Sequence, residues 1–356
     1  MKVQTLLLQE FTAFKDARIQ FSNGLNVFIG ANATGKSHLM KLMYAVLKTS
    51  EEANKDKVTD RQLTMAALKK KLARVFRPDD LQTGRLVRRG VGRRAAQVKM
   101  ETMTGAFSFS LSSLGNINVT ANTLSQVRPC IFIPSREALA MYEGFIHAYA
   151  ERELSFDETY YDLCIALSGK PLRGPRLRDA AKLVKPFEEL LGGKVVLEGD
   201  RFHVWSRAGY VEAHLLAEGY RKIGGLVHLI NNGSLMTNGM LFWDEPEANL
   251  NPKLVTRIAF ALRFLASKGI QVFIATHDYL LSQELSLAVE YSTEPHCETR
   301  FYCFARENAQ SSVEIESGNT LADLSTNPIL EEFALHYERE RSLFAGLPPR
   351  GSEVSR

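Results

Sequence analysis

The chain is poor in the features that would put it outside the cell or in a bilayer. Its four cysteines, Cys130, Cys164, Cys297 and Cys303, are scattered. Their spacing frames neither a zinc site nor a disulfide scaffold, so they read as buried free thiols in a reducing cytoplasm. His296, Cys297 and Cys303 lack a fourth ligand nearby, which excludes a metal reading there. No apolar run approaches the ~20 residues that span a bilayer. The opening MKVQTLLLQEF turns polar too soon for a signal peptide. The expected location is cytoplasmic, with no membrane partner. Internal repeats are absent.

Acidic charge is scarce in one stretch only. Residues 69 to 99 hold eleven Lys and Arg against Asp79 and Asp80, a local charge of +9 within a chain of net +4, so the remainder is −5. Arg85, Arg88, Arg89, Arg93 and Arg94 form its densest part. They could neutralise a nucleic-acid backbone, meet an acidic protein, approach a bound phosphate, or form a solvated face. The aromatic interleaving that stacks bases is missing.

What is present is GANATGKS, Gly30 to Ser37. It fits a glycine, four variable residues, then Gly-Lys-Ser, a phosphate-binding loop if a strand precedes it and a helix follows. The apolar run GLNVFI reads as a buried strand, and SHLMKLMYAVL has helical spacing. The loop thus ends at a helix N-terminus, where free N–H groups and the dipole favour phosphate. Gly30, Asn32, Ala33, Thr34, Gly35 and His38 would line the nucleotide. Lys36 would reach the β- and γ-phosphates, and Ser37 would ligate Mg²⁺.

Two further strand ends supply acids and a histidine. In MLFWDEPEANLNP, an apolar strand ends at Asp244, placed for the Mg²⁺ shell, and Glu245 follows as a candidate general base. Adjacent acids on a strand point to opposite faces, which would give each its own task. QVFIAT ends at His277, which could hydrogen-bond a γ-phosphate, because strand C-terminal ends converge on ligands in doubly wound sheets.

The remaining pattern predicts two strands before the loop, a polar stretch from Thr49 to Gln62, and a helix from about Leu63 to Phe76. Alternation over AAQVKMETMTGAFSFSLSSLGNINVTA predicts antiparallel strands. Helices broken by Pro and Gly are expected from Ala138 to about Leu191, then a hairpin turning at Glu198-Gly199-Asp200. The expected organisation is an N-terminal lobe over 1–137 carrying the basic segment and an insertion over 138–211. A C-terminal lobe over 212–345 and a disordered tail over 346–356 complete it.

These motifs resemble the ABC-type ATPases of the SMC, RecF and OLD group. LLLQEFTAFKDARIQFSNGLNVFIGANATGKSHLMKLMYAV looks like their opening, LFWDEPEANLNP like their Walker B and D-loop with Asn249 in the turn, and FIATHD like their H-switch. FIPSRE is similar to a segment of the stand-alone AAA-type ATPases of bacterial anti-phage operons. The resemblance implies an α/β fold, an ABC-ATPase-type P-loop NTPase. It would have an antiparallel β lobe, a central mainly parallel sheet and a short helical insertion. It also implies a homodimer or higher oligomer sandwiching ATP, each head offering a signature loop to the other. The candidate loop is LLAEGYRKIGG, with Ala217 where the family has serine and Gly219 still able to give its N–H. The missing hydroxyl removes a hydrogen bond worth about 0.5–1.5 kcal/mol, so weak assembly and slow hydrolysis are expected.

Within that group the short insertion, interrupted by Pro171 and Pro175, builds no coiled-coil arm. The residues after His277 hold no strand-end acid cluster for a nuclease centre. Three functions follow: an ATPase controlling a separately encoded effector in anti-phage defence, a RecF-like DNA-binding repair ATPase, or a nucleotide-gated scaffold with incidental hydrolysis.

Overall fold

A computed structural model describes residues 1–345 except 57–59, 126, 152–153, 207–208 and 309–310. The tail 346–356, expected to be disordered, lies outside the described residues. Strands β1 (Val3–Phe11) and β2 (Phe14–Gln20) lead into β3 (Leu25–Gly30) and helix α1 (Lys36–Lys55). After α2 (Arg61–Phe76) come β4 (Ala95–Thr102), β5 (Gly105–Ser112), β6 (Ile117–Asn122) and β7 (Cys130–Ile133). Helices α3 (Phe145–Glu151), α4 (Glu158–Leu167) and α5 (Pro175–Leu191) precede β8 (Gly193–Glu198), β9 (Arg201–Ser206) and β10 (Gly209–Glu212). Then follow α6 (Glu218–Asn231), β11 (Met240–Asp244), α7 (Pro252–Ser267), β12 (Gln271–Ala275) and α8 (Tyr279–Glu290). The chain closes with β13 (Thr299–Ala305), β14 (Glu314–Gly318) and α9 (Pro328–Phe344).

The strands form an antiparallel sheet in the order β2-β1-β4-β5-β6 and a six-stranded sheet in the order β14-β13-β3-β12-β11-β7. The second is parallel except for β14. Its strands are buried on both faces, as parallel strands under helices must be. One face is aromatic, with Phe28, Phe132, Phe242, Phe273 and Phe304 in the core shared with α1 and the antiparallel sheet. The other is aliphatic, with Leu25, Val27, Ile29, Leu241 and Ile274 packed in the core that holds α5, α6 and α7. Period-two alternation along each strand produces this split.

Three local expectations are corrected. The polar stretch after Leu47 remains helical to Lys55. Thr49 and Ser50 hydroxyls donate to carbonyls one turn back within their own helix, and buried Glu51 is held between Lys48 and Lys55. The expected hairpin gains a third strand, β10, making a small sheet in the order β10-β9-β8. That sheet and α3–α5 share the aliphatic core: Phe145, Leu163, Phe187 and Val204 pack in one cluster with Leu226 and Leu262.

The third correction concerns the basic segment, whose charge is partly consumed internally. Lys71 is buried and ion-paired with Glu52, Glu158 and Asp162. Arg77 donates to the Leu154 and Phe156 carbonyls. Arg85 pairs with Asp79, Arg94 with Glu10 and Lys99 with Glu101. Arg89 and Arg93 are exposed and form no ion pair among the described residues.

Candidate functional site

β3 runs straight into the loop, and α1 starts at Lys36 with Gly35 as its N-cap. Gly35 has φ +92°, and a Cβ there would meet the Phe14 ring at 3.0 Å, so only glycine fits without strain. Ala33 adopts φ +62°, a left-handed conformation that costs a non-glycine residue about 1 kcal/mol. Thr34 Oγ1 donates to the Ala31 carbonyl. Lys36 Nζ folds back to donate to the Gly30 and Ala31 carbonyls at 2.7 and 2.8 Å. Burial draws its ammonium below the usual lysine range against the attraction of Asp244. That desolvation is relieved by an anion.

The loop floors a cavity of about 1000 Å³. Asn32 to His38 line one side, and Asp244, Glu245 and Ala275 close the end where β11 and β12 finish. The opposite wall is the β1–β2 turn at Thr12 and Ala13 together with Leu86 to Arg89. Backbone bonds from Thr12 to Leu86 and from Arg88 to Glu10 fasten that wall together. Arg85, Arg88 and Arg89 line the cavity, with Arg88 also donating to the Ala13 carbonyl. Arg93 and Arg94 do not line it. His38 packs edge-on against Phe76, and burial pushes its imidazole below the usual range.

Ser37 and Asp244 are joined across 207 residues of sequence: Ser37 Oγ donates to Asp244 Oδ1 at 2.9 Å. Burial raises the Asp244 carboxyl against that hydrogen bond, so the pair is a dry oxygen set that a hard cation relieves. Two protein oxygens beside a phosphate loop fit Mg²⁺, which binds through few protein ligands plus phosphate oxygens. Glu245 does not continue the strand. It turns to φ +48°, its N–H bonds the Ala275 carbonyl, and His277 Nδ1 lies 3.2 Å from its Oε1. A left-handed turn, rather than strand alternation, separates the two acids. His277 stands outside the cavity lining and reaches it only through Glu245.

Ala217, Gly219 and Asn249 are absent from the cavity lining and lie at or beside the start of α6. Ala217 is the N-cap, so Glu218 and Gly219 belong to the first helical turn rather than to a loop. Asn249 Nδ2 donates to Glu218 Oε1 at 3.0 Å. A Cβ on Gly219 would stand 2.5 Å from Leu250 and 2.8 Å from Leu254. Close packing therefore explains that glycine by itself.

Two residues escaped the motif reading. Glu247 is buried, accepts from Thr276 Oγ1 at 2.6 Å, and burial pushes its carboxyl up to about 7. Lys222 is buried on α6 and donates to the Ala248 carbonyl at 2.7 Å. Its one sequence signal is position: Lys222 falls at helical spacing among Ile223, Leu226 and Ile230, which marks it as buried but names no partner.

Comparison with known proteins agrees with this geometry. The family model described as "AAA ATPase domain" matches residues 1–77. The model described as "AAA domain, putative AbiEii toxin, Type IV TA system" matches residues 133–282. The DNA replication and repair protein RecF of Streptococcus gordonii is 38% identical over 58 residues, and that of Macrococcus caseolyticus 36% over 58. Each match covers 16% of this chain and 16% of the relative, so the chain spans about a sixth of the length of these curated relatives. Among solved structures, an SMC head bound to the C-terminal winged-helix domain of ScpA superposes with TM-score 0.55. It is 13% identical, covering 89% of this chain and 98% of that one. An SMC head bound to the C-terminal domain of ScpA, from Pyrococcus furiosus, gives 0.51 at 12% identity over 94% and 99%. At such identities the likeness is one of fold. No helix among the described residues is long and apolar enough to cross a membrane.

Proposed function

We propose that the chain, which has the fold of SMC heads, acts as an ABC-type P-loop ATPase that binds ATP with Mg²⁺ and hydrolyses it slowly. We further propose that it assembles head to head on ATP to control a separately encoded effector in anti-phage defence. The observation that carries the catalytic part is the convergence on one cavity of Lys36, the Ser37–Asp244 pair and Glu245, with His277 behind Glu245. Backbone N–H groups of the loop and Lys36 take the β- and γ-phosphates. Ser37 and Asp244 would hold Mg²⁺, which when bound neutralises phosphate charge. Glu245 accepts a proton from the attacking water, and His277, which reaches the cavity only through Glu245, fixes its carboxylate. Ala217, Gly219 and Asn249 would serve a neighbouring head's nucleotide. The match to the AbiEii-type AAA model supports a defence setting.

The RecF matches and the exposed Arg89 and Arg93 favour a second reading, in which the protein clamps DNA. It predicts ATPase activity stimulated by DNA and lost steeply with salt.

One experiment addresses both. Glu245→Gln should bind ATP normally and lose turnover about 100-fold or more; unchanged hydrolysis would remove Glu245 from the base role. Purified from its native host with ATP, that variant should carry a second protein. Nuclease-sensitive DNA in its place would put the clamp reading first.

A further inference from the structure

Glu245 occupies a backbone conformation that is unfavourable for a residue with a side chain, so something must hold it there. Its own N–H and carbonyl are used by Ala275 and Ala248. The rest of the grip comes from α6. Lys222 Nζ points into the turn after β11, 2.7 Å from the Ala248 carbonyl and 3.5 Å from that of Glu245. The residue is 5% exposed. A buried ammonium is costly unless hydrogen-bonded, and an apolar side chain of similar length would pack on this face of α6 without that cost. Two further contacts fasten the same pieces: Glu218 to Asn249, and Gly219 against Leu250 and Leu254. The first turn and a half of α6 and residues 245–250 are thus joined by a polar contact, a packed glycine and a buried cation.

We propose that Lys222 is a positioning residue for Glu245, locking the turn that aims the carboxylate and tying it to the N-terminal end of α6. The proposal rests on the reading of Glu245 as general base. Lys222 lies outside the cavity lining, and its partners are main-chain oxygens of the turn. Its loss frees the turn while leaving the phosphate loop, built from β3 and α1, as it is.

The test uses the full chain and four forms: Lys222→Met, Lys222→Arg, Glu245→Gln and the Lys222→Met/Glu245→Gln double variant. In Lys222→Met, kcat should fall about tenfold or more while ATP affinity stays within about threefold, the split expected for a group acting only on the chemical step. Lys222→Arg, which keeps the donors, should recover most of the rate. In the Glu245→Gln background, Lys222→Met should lower the residual rate no further, because both act through one carboxylate. Wild-type turnover in Lys222→Met beside an inactive Glu245→Gln overturns the proposal. So does an equal loss of affinity and rate, or a further fall in the double variant. Full activity in Glu245→Gln instead would remove the base assignment itself. Should Lys222→Met not fold, Lys222→Gln takes its place: its shorter neutral amide cannot serve both carbonyls, so kcat should fall by a smaller factor at unchanged ATP affinity, and wild-type turnover there overturns the proposal.

Discussion

The two halves of the cavity are built by different means. The phosphate loop is a backbone construction: a strand end, a glycine N-cap at φ +92° and a helix that turns its free N–H groups toward the ligand. The facing half, from Asp244 to Asn249, is a side-chain construction. Its shape depends on Ser37, His277, Thr276, Lys222 and Glu218, contributed by α1, the loop after β12 and α6. A backbone cradle is ready before ligand arrives and changes little. A turn held by side chains can be released by moving any one of its holders. On the proposed function, binding and chemistry would therefore be separable, with binding in the first half and control in the second.

The sharpest break of that comparison is Lys36→Ala. Losing charge-assisted bonds to two phosphates should cost roughly 3 kcal/mol, about 100-fold in ATP affinity, measured by nucleotide titration. Retained affinity would show that the N–H cradle binds without the lysine and would refute a binding role for Lys36.

Glu247 sharpens it from the other side. Its carboxyl is raised to about 7 by burial, so between the ordinary carboxyl range and pH 7 the folded state keeps a proton the unfolded chain has lost. Stability contributed by the protonated form is full below the unfolded value and declines as pH rises through the folded one. Glu247→Gln keeps the oxygen that accepts from Thr276 and removes the titration. It should therefore be more stable than the parent at pH 8 by about 1–3 kcal/mol, and equal to it near pH 4. Denaturant melts at the two pH values read this directly, and a gap that does not change with pH refutes it. ATP affinity should be unaffected, since the residue belongs to the side-chain half.

The smallest effect belongs to Ala33. Its left-handed backbone strains the loop, so Ala33→Gly should gain up to about 1 kcal/mol of stability, offset in part by the greater freedom of glycine in the unfolded chain. A loss of stability would mean that the methyl group is packed rather than merely tolerated.

How far the site could be read from the sequence follows the same division. The loop was legible because its chemistry needs fixed residue types at short spacing between a strand and a helix. Asp244 was legible although 207 residues away, because an apolar strand ending in acids is itself a local pattern. Lys222 was not: its partner lies 26 residues on, across a helix end and a strand, and nothing near Lys222 predicts a carbonyl to receive it. The continuation of α1 was missed for a related reason. Thr49, Ser50 and Glu51 look like loop residues until their hydroxyls and ion pairs are seen to be satisfied within the helix and its surroundings. β10 has only four residues, too few for alternation to register. In the basic segment, composition could count the charges but not tell that buried Lys71 spends its own on Glu158 and Asp162, 87 and 91 residues away.

The position of β3 also governs the birth of the protein. Its two neighbours in the sheet are β12 and β13, and β1 is tied down by the side chain of Gln271, which bonds both Val3 and Ser22. On the ribosome the phosphate-loop strand emerges early with both edges unpaired, and neither neighbour exists until Gln271–Ala275 and Thr299–Ala305 have been synthesised. An apolar strand waiting so long invites pairing with other nascent chains. Arg306, which lines the cavity, follows immediately after β13. The cavity therefore has no finished wall until Arg306 has been synthesised and β3 has found both neighbours, so a nucleotide could bind only after these distant segments have come together.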